Sequence, residues 1–166
     1  MSMVTKAPAT RVLDSIDRQI LGWVQKDASL AQSEIAKRVG LSTAAVHERV
    51  KKLEAAGVIR RWTALVDPAA VGALVTAFVE VFFEHPRFEQ GFIERVKQLA
   101  AVQECHHITG EFSLLLKVRV ADMPALQTLL LEQLSGHEGV RQTRTVMVLS
   151  TVKEETFVET SAKGDE

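Results

Sequence analysis

Cysteine is nearly missing from this sequence. Among 166 residues only Cys105 carries a thiol, so no disulfide can form within the chain and a reducing compartment is expected. Long apolar runs are missing too: no stretch approaches the roughly 20 residues that a membrane-spanning helix needs. The opening MSMVTKAPAT has no apolar core of the secretory kind, so the expected location is the cytoplasm. The usual catalytic signatures are missing as well, with no CxxC, no HExxH and no Gly-rich phosphate loop. Nor is there a large excess of charge, the formal net value being −1. What remains is a chain with 46% apolar residues, enough for one medium domain or two small ones with real cores.

The near-neutral total conceals an asymmetry. Residues 1–62 hold 11 Lys/Arg and 6 Asp/Glu, a balance of +5, and residues 63–166 hold 9 and 15, a balance of −6. A basic front half joined to an acidic rear half suggests two domains with different partners, nucleic acid being the candidate for the front. Random scatter of surface charge is the plain alternative.

Three short helices account for the front half. Asp14 caps the first, Asp17 reinforces its start, and Ile16, Ile20 and Val24 recur at helical spacing. The second fits Gln32 to Val39, with Ile35, Ala36 and Val39 inward, a poor cap at Ala31 and Gly40 suited to a left-handed stop. Ser42 caps the third, Gly57 ends it, and Val46, Val50 and Leu53 form its buried face. Only GLS separates the second helix from the third, which is the helix-turn-helix pattern. The third helix would present Thr43, Ala44, His47, Glu48, Lys51 and Lys52 outward, its small N-terminal residues allowing close approach to a major groove. Thr43 can bond a base edge or a phosphate, and Ala44 can rest on a thymine methyl. His47 and Arg49 are the larger candidates for base or backbone contact. Glu48 opposes phosphate but can accept from cytosine or orient Arg49. Lys51, Lys52, Arg60 and Arg61 are candidates for phosphate contacts, which position a protein without reading sequence. VIRRWTALVD reads as a wing or linking strand. An ordinary three-helix bundle with solvated charges is the alternative.

The rear half alternates differently. TAFVEVFFE, VQECHHIT, SLLLKVRV and VRQTRTVMVLSTV read as strands, and residues 87–100 and 123–136 as helices, giving the ferredoxin-like order βαββαβ. Both helices should cover one sheet face and leave the other bare. On the first strand Ala77, Val79, Val81 and Phe83 form one apolar row, and Phe78 and Phe82 alternate with Glu80 and Glu84 on the other, so both rows have material to bury. An open face carrying aromatics needs a cover, and a second copy is the simplest one. A homodimer is therefore expected.

Little in the rear half suggests a reaction. Cys105 and His107 share a strand face while His106 points away, so CHH does not make a closed zinc site. Ser113 has no evident base partner, and Glu80 and Glu84 sit in a pattern that suits a solvated or interfacial face. No metal and no cofactor are expected. The turn at TGEFS is different: Gly110 can expose backbone N–H groups suited to a small carboxylate, and Thr143 and Thr145 can supply hydroxyls from one face of the last strand. A plain hairpin with threonines placed for strand propensity fits the same residues.

Together LDSIDRQILGWVQKDASL, EIAKRVGLS, ERVKKLEAAGVIRRW, ALVDPAAVG, ECHHITGEFSLLLKV and GVRQTRTVMVLSTVK resemble the Lrp/AsnC, or feast/famine, family of transcription regulators over Leu13 to Val158. The resemblance implies an α+β protein. An N-terminal winged-helix-like helix-turn-helix domain (11–62) is joined by a linker strand or hinge (63–74) to a C-terminal ferredoxin-like effector and oligomerisation domain (75–158). Residues 1–10 and 159–166 are expected to be disordered. It implies homodimers assembling further to octamers, double-stranded DNA as partner, a cytoplasmic, nucleoid-associated setting, and an amino acid or related metabolite as effector. The effector contacts would fall on Gly110, Glu111 and Ser113, with Thr143 and Thr145 secondary. Two departures matter. Ser113 stands where amino-acid-binding members commonly carry Asp, leaving Glu111 as the neighbouring carboxylate, or a different effector. STAAVHERV also lacks the proline often found after the capping Ser, so an operator sequence does not carry over. The expected function is sequence-specific, metabolite-responsive regulation. An architectural DNA-wrapping protein is the alternative, and an enzyme using a ferredoxin-like pocket a further one.

Overall fold

A computed structural model describes residues 12–160. They form two compact units, residues 12–65 with 154–160 and residues 66–153.

The front unit contains helices α1 (Ser15–Lys26), α2 (Gln32–Val39) and α3 (Thr43–Ala55). Their limits are set by local chemistry. The Asp14 carboxylate accepts from the Asp17 N–H at 2.7 Å, and the Ser42 hydroxyl accepts from the Ala45 N–H at 3.2 Å, each satisfying an orphan donor of a first turn. No side chain caps α2 at Ala31. Gly40, at φ 69°, ends α2 in the left-handed region that other residues enter at a cost. Ile20, Leu21, Val24, Ile35, Ala36, Val46, Val50 and Leu53 meet in one core, with Ile16 and Val39 packed at its margin. Each fully buried aliphatic side chain contributes about 2 kcal/mol.

The rear unit is a four-stranded antiparallel sheet in the order β2-β3-β1-β4, from β1 (Val75–Phe83), β2 (Val102–His107), β3 (Leu114–Val120) and β4 (Val140–Met147). Helices α4 (Glu89–Val96) and α5 (Met123–Thr128) cover one face. Strand alternation explains the layering: Ala77, Val79, Val81 and Phe83 of β1 and Leu114, Leu116, Val118 and Val120 of β3 pack with Phe92, Val96, Leu126, Leu129 and Leu134. The opposite face carries Phe78, Glu80 and Phe82 beside Leu115, Lys117, Arg144 and Val146, residues that are half-buried or exposed.

Several expectations are corrected. The first rear helix is shorter than 87–100: a 3-10 turn at Pro86–Phe88 precedes α4, and after Val96 the N–H groups of Gln98 and Leu99 bond three residues back, tightening the chain out of the α-helix. The second does not stay α-helical either, since Leu129–Leu134 forms a wider π-helical segment after α5. The segment expected as a wing or linking strand has no strand within 56–74; it holds a 3-10 turn at Ala69–Val71. A strand needs a ladder partner, and Leu65, Val66 and Leu74 are instead exposed. The two units divide between Leu65 and Val66. Residues 1–10 lie outside the described residues. Of 159–166, Glu159 and Thr160 are described, and Thr160 is hydrogen-bonded to α1, so these two residues are ordered against the front unit.

Candidate nucleic-acid interface and ligand turn

The third helix presents its candidate contacts as its spacing predicts. Ser42, Thr43, Ala44, His47, Glu48, Lys51 and Lys52 are exposed while Val46, Val50 and Leu53 are buried beneath them. Arg60 and Arg61 follow the helix and are exposed too. Among the described residues the side chains of Lys51, Lys52, Arg60 and Arg61 form no ion pair, so their charge faces solvent. His47 is steadied by α2, its Nδ1 lying 3.1 Å from Gln32 Oε1. Trp62 folds back to α3, its indole N–H donating to Glu54. Between them lies an open groove of about 480 Å³, lined by residues including Val24, Leu30, Gln32, His47, Lys51 and Trp62.

Arg49 differs from its neighbours. Its Nη1 donates to Asp14 Oδ2 at 2.7 Å and to Asp17 Oδ1 at 2.8 Å, joining the reading helix to the start of α1. Asp17 is only 1% exposed. The backbone N–H of Asp17 and then the Arg49 guanidinium hold the Asp14 carboxyl below its ordinary value, and the two carboxylates raise Arg49 above its own. Arg49 therefore holds the helix in place, and its charge is already matched. The sequence carried a signal for this: Arg49 follows Val46 by three and precedes Val50, on the rim of the apolar stripe, and the aspartates are themselves three apart.

On the rear unit, Gly110, Glu111 and Ser113 come together in the β2–β3 turn. Gly110 has φ 117°, and a side chain at this position would meet no atom within 4 Å. The turn is closed by the Ile108 N–H donating to the Ser113 carbonyl at 3.0 Å and the Ser113 N–H donating to the Val81 carbonyl at 3.0 Å. Gly110 and Glu111 are exposed. Phe112, next to Glu111, is 5% exposed, its ring edge-on to Phe82 at 6.5 Å and beneath the Arg144 guanidinium at 4.9 Å. Arg144 is also paired with Glu80, which that hydrogen bond holds below its ordinary value. Phe112 and Arg144, missed in the sequence, are thus what seats the turn.

Thr143 and Thr145 are not joined to it by any hydrogen bond among the described residues. They pair with Val81 and Val79 and so point to the helix-covered face, where Thr143 shares a hydrogen bond with Ser135 at 3.1 Å. On β2, His107 faces Glu89 at 3.4 Å and His106 faces Glu104 at 3.1 Å, on opposite sides of the strand. Desolvation, then the Glu89 charge, raise the Cys105 thiol, keeping it protonated at neutral pH. Among the described residues no three of His, Cys, Asp and Glu are placed to hold a metal ion, and no helix is long and apolar enough to cross a membrane.

Known proteins match both units. Residues 13–60 match a model for winged helix-turn-helix DNA-binding domains, and residues 76–158 match the Lrp/AsnC ligand binding domain. The leucine-responsive regulatory protein of Klebsiella pneumoniae is 43% identical over 144 residues, covering 86% of this chain and 88% of the relative. A Neisseria meningitidis transcriptional regulator, solved as its L-Met complex, superposes with a TM-score of 0.82 at 32% identity, covering 87% of this chain and 94% of that one. AsnC of E. coli superposes with a TM-score of 0.82 at 28% identity, covering 88% and 98%.

Proposed function

The chain belongs to the Lrp/AsnC family of transcription regulators, and from that premise we propose that it reads specific DNA sequences under the control of a small metabolite, an amino acid or a related compound. The observation that carries this reading is the pairing of two features in one chain. An exposed α3 is flanked by solvent-facing cations, and a separate domain of the ligand-binding type carries a positive-φ glycine in its β2–β3 turn.

In this reading Thr43, Ala44, His47 and Glu48 lie nearest the bases, with the Ser42 cap fixing where the helix starts. Lys51, Lys52, Arg60 and Arg61 contact phosphates and set register. Arg49 is reassigned from this set to the support beneath it. Gly110, Glu111 and Ser113 form the effector turn, and Thr143 and Thr145 lie across β1 from it. The amino-acid class is supported by the relative solved with L-Met and by the leucine-responsive relatives. Ser113 carries no charge for an α-amino group, which leaves Glu111 to meet it.

Two copies cover each other's open sheet face, where Phe78, Phe82 and Val146 are incompletely buried, and such dimers assemble to octamers. A dimer carries two reading helices for two half-sites. The effector acts by binding one assembly or DNA-affinity state better than another, so no reaction is required of it. The setting is the cytoplasm, on the nucleoid.

A thermal-shift screen of the standard amino acids and related acids, followed by DNA-binding titrations with each hit, tests this. A ligand that raises the melting temperature and changes DNA affinity is expected. Screened compounds that leave both unchanged oppose metabolite control. Footprints that are long and indifferent to sequence favour the architectural reading.

A further inference from the structure

The last described residues lie along α1. Gln25 grips Val158 through both of its backbone groups: Nε2 donates to the Val158 carbonyl at 3.0 Å, and Oε1 accepts from the Val158 N–H at 2.8 Å. Two residues on, Arg18 Nη1 donates to the Thr160 carbonyl at 3.1 Å, and the Thr160 hydroxyl donates to the Arg18 carbonyl at 3.1 Å. Arg18, Gly22 and Gln25 share one stripe of the helix at i, i+4 and i+7. Gly22 leaves that stripe flat, and a Cβ there would lie 3.6 Å from the Thr160 hydroxyl. Four directional hydrogen bonds fix one register of tail on helix.

What is docked is acidic. Residues 154–160 contain three Glu and no Lys or Arg, a balance of −3, and the front unit on which they lie has a balance of +5 over residues 1–62. A tethered anionic segment is a counterion that never diffuses away. It competes with phosphate for the same positive field, over a range that salt shortens to about 10 Å at 0.1 M.

We propose that the C-terminal segment, held on α1 by Gln25 and Arg18, is a built-in brake on nonspecific DNA binding: it lowers the attraction of the front unit for arbitrary duplex. Base contacts are untouched, so a specific complex keeps affinity of its own where nonspecific binding, which is almost wholly electrostatic, is lost. The proposal rests on the DNA-binding reading above and needs neither an effector nor an operator.

The test compares four chains by fluorescence anisotropy on one labelled random-sequence duplex, at low and at moderate salt. They are the full chain, a chain ending at Lys153, the full chain with Glu154→Gln, Glu155→Gln and Glu159→Gln, and Gln25→Ala. The truncated and triple-Gln chains are expected to bind about 3- to 10-fold tighter at low salt, with the gap closing as salt rises. Gln25→Ala is expected to bind tighter than the full chain and to lose the hydrogen-exchange protection of the Val158 amide. Truncated and triple-Gln chains that bind no tighter overturn the brake, and so does a full chain whose Val158 amide exchanges as fast as in Gln25→Ala. If no chain binds the duplex even at low salt, the DNA-binding reading itself fails. The exchange experiment then still reports whether the tail docks.

Discussion

Arg49 of the reading helix and Asp17 of α1 are joined by a 2.8 Å hydrogen-bonded ion pair, with Asp17 almost wholly buried. An ion pair of this kind, with one partner buried, holds two helices in one geometry, and removing one charge leaves the other poorly solvated. Asp17→Asn is expected to destabilise the front unit by about 2–3 kcal/mol, measured by denaturant unfolding. It also raises the positive charge of that unit by one. If charge alone governed DNA affinity, binding would tighten. With Arg49 as a positioning residue, binding is expected to weaken, and tighter binding by this variant would contradict that role.

Salt dependence separates the cations. Lys51→Ala and Arg60→Ala are each expected to weaken binding to many sequences alike and to reduce the slope of log K against log salt by about 0.9. Arg49→Met is expected to weaken binding with the slope unchanged. A normal slope in Lys51→Ala would remove that residue from the phosphate contacts.

Strong acid should loosen the front unit. Asp14 titrates below its ordinary value of 3.8 when folded, because the Asp17 N–H and then Arg49 favour its charged form. Its contribution is therefore complete above about pH 4 to 5 and is lost as pH falls through the depressed folded value. Asp14→Asn is expected to lower stability at neutral pH and to flatten the acid limb of the stability curve. An acid limb identical to that of the parent chain would show that Asp14 contributes nothing there.

At the ligand turn, Gly110 holds φ 117°, where a side chain is strained although nothing nearby would touch it. Gly110→Asp is expected to abolish effector response while leaving the dimer intact, the strain being of order 1–3 kcal/mol and confined to the turn. Calorimetry showing normal binding of the screened effector to this variant would contradict the placement.

Capping gives a smaller effect of known size. Ser42→Ala removes the acceptor for the Ala45 N–H and should cost about 1 kcal/mol, read from chemical unfolding. A larger loss of DNA affinity than of stability would place the hydroxyl at the DNA as well.

Where neighbours in sequence decide the structure, the sequence was legible. The three front helices follow from Asp14, Ser42, Gly40 and their apolar stripes, and the order of the rear strands and helices follows from their alternation. What escaped depends on partners distant in sequence. Arg49 read as a candidate for base or backbone contact until Asp14 and Asp17 were brought beside it. Thr143 and Thr145 looked like ligand hydroxyls, yet pairing with Val81 and Val79 turns them toward the helices. Residues 159–166 were expected to be disordered, and only Gln25 and Arg18 reveal where Val158 and Thr160 sit. The shortened first helix and the π-helical end of the second arise from packing on the sheet, which periodicity alone does not record.

The ligand turn begins where the ladder stops: β2 ends at His107 and β3 starts at Leu114. Only Phe112, among the residues between, is deeply buried. Apart from Gly110, whose φ a side chain would strain, its companions can change at little thermodynamic risk to the scaffold. On the proposed reading of this turn as the effector site, one metabolite could be exchanged for another there, and a serine at position 113 is the kind of change that such licence permits.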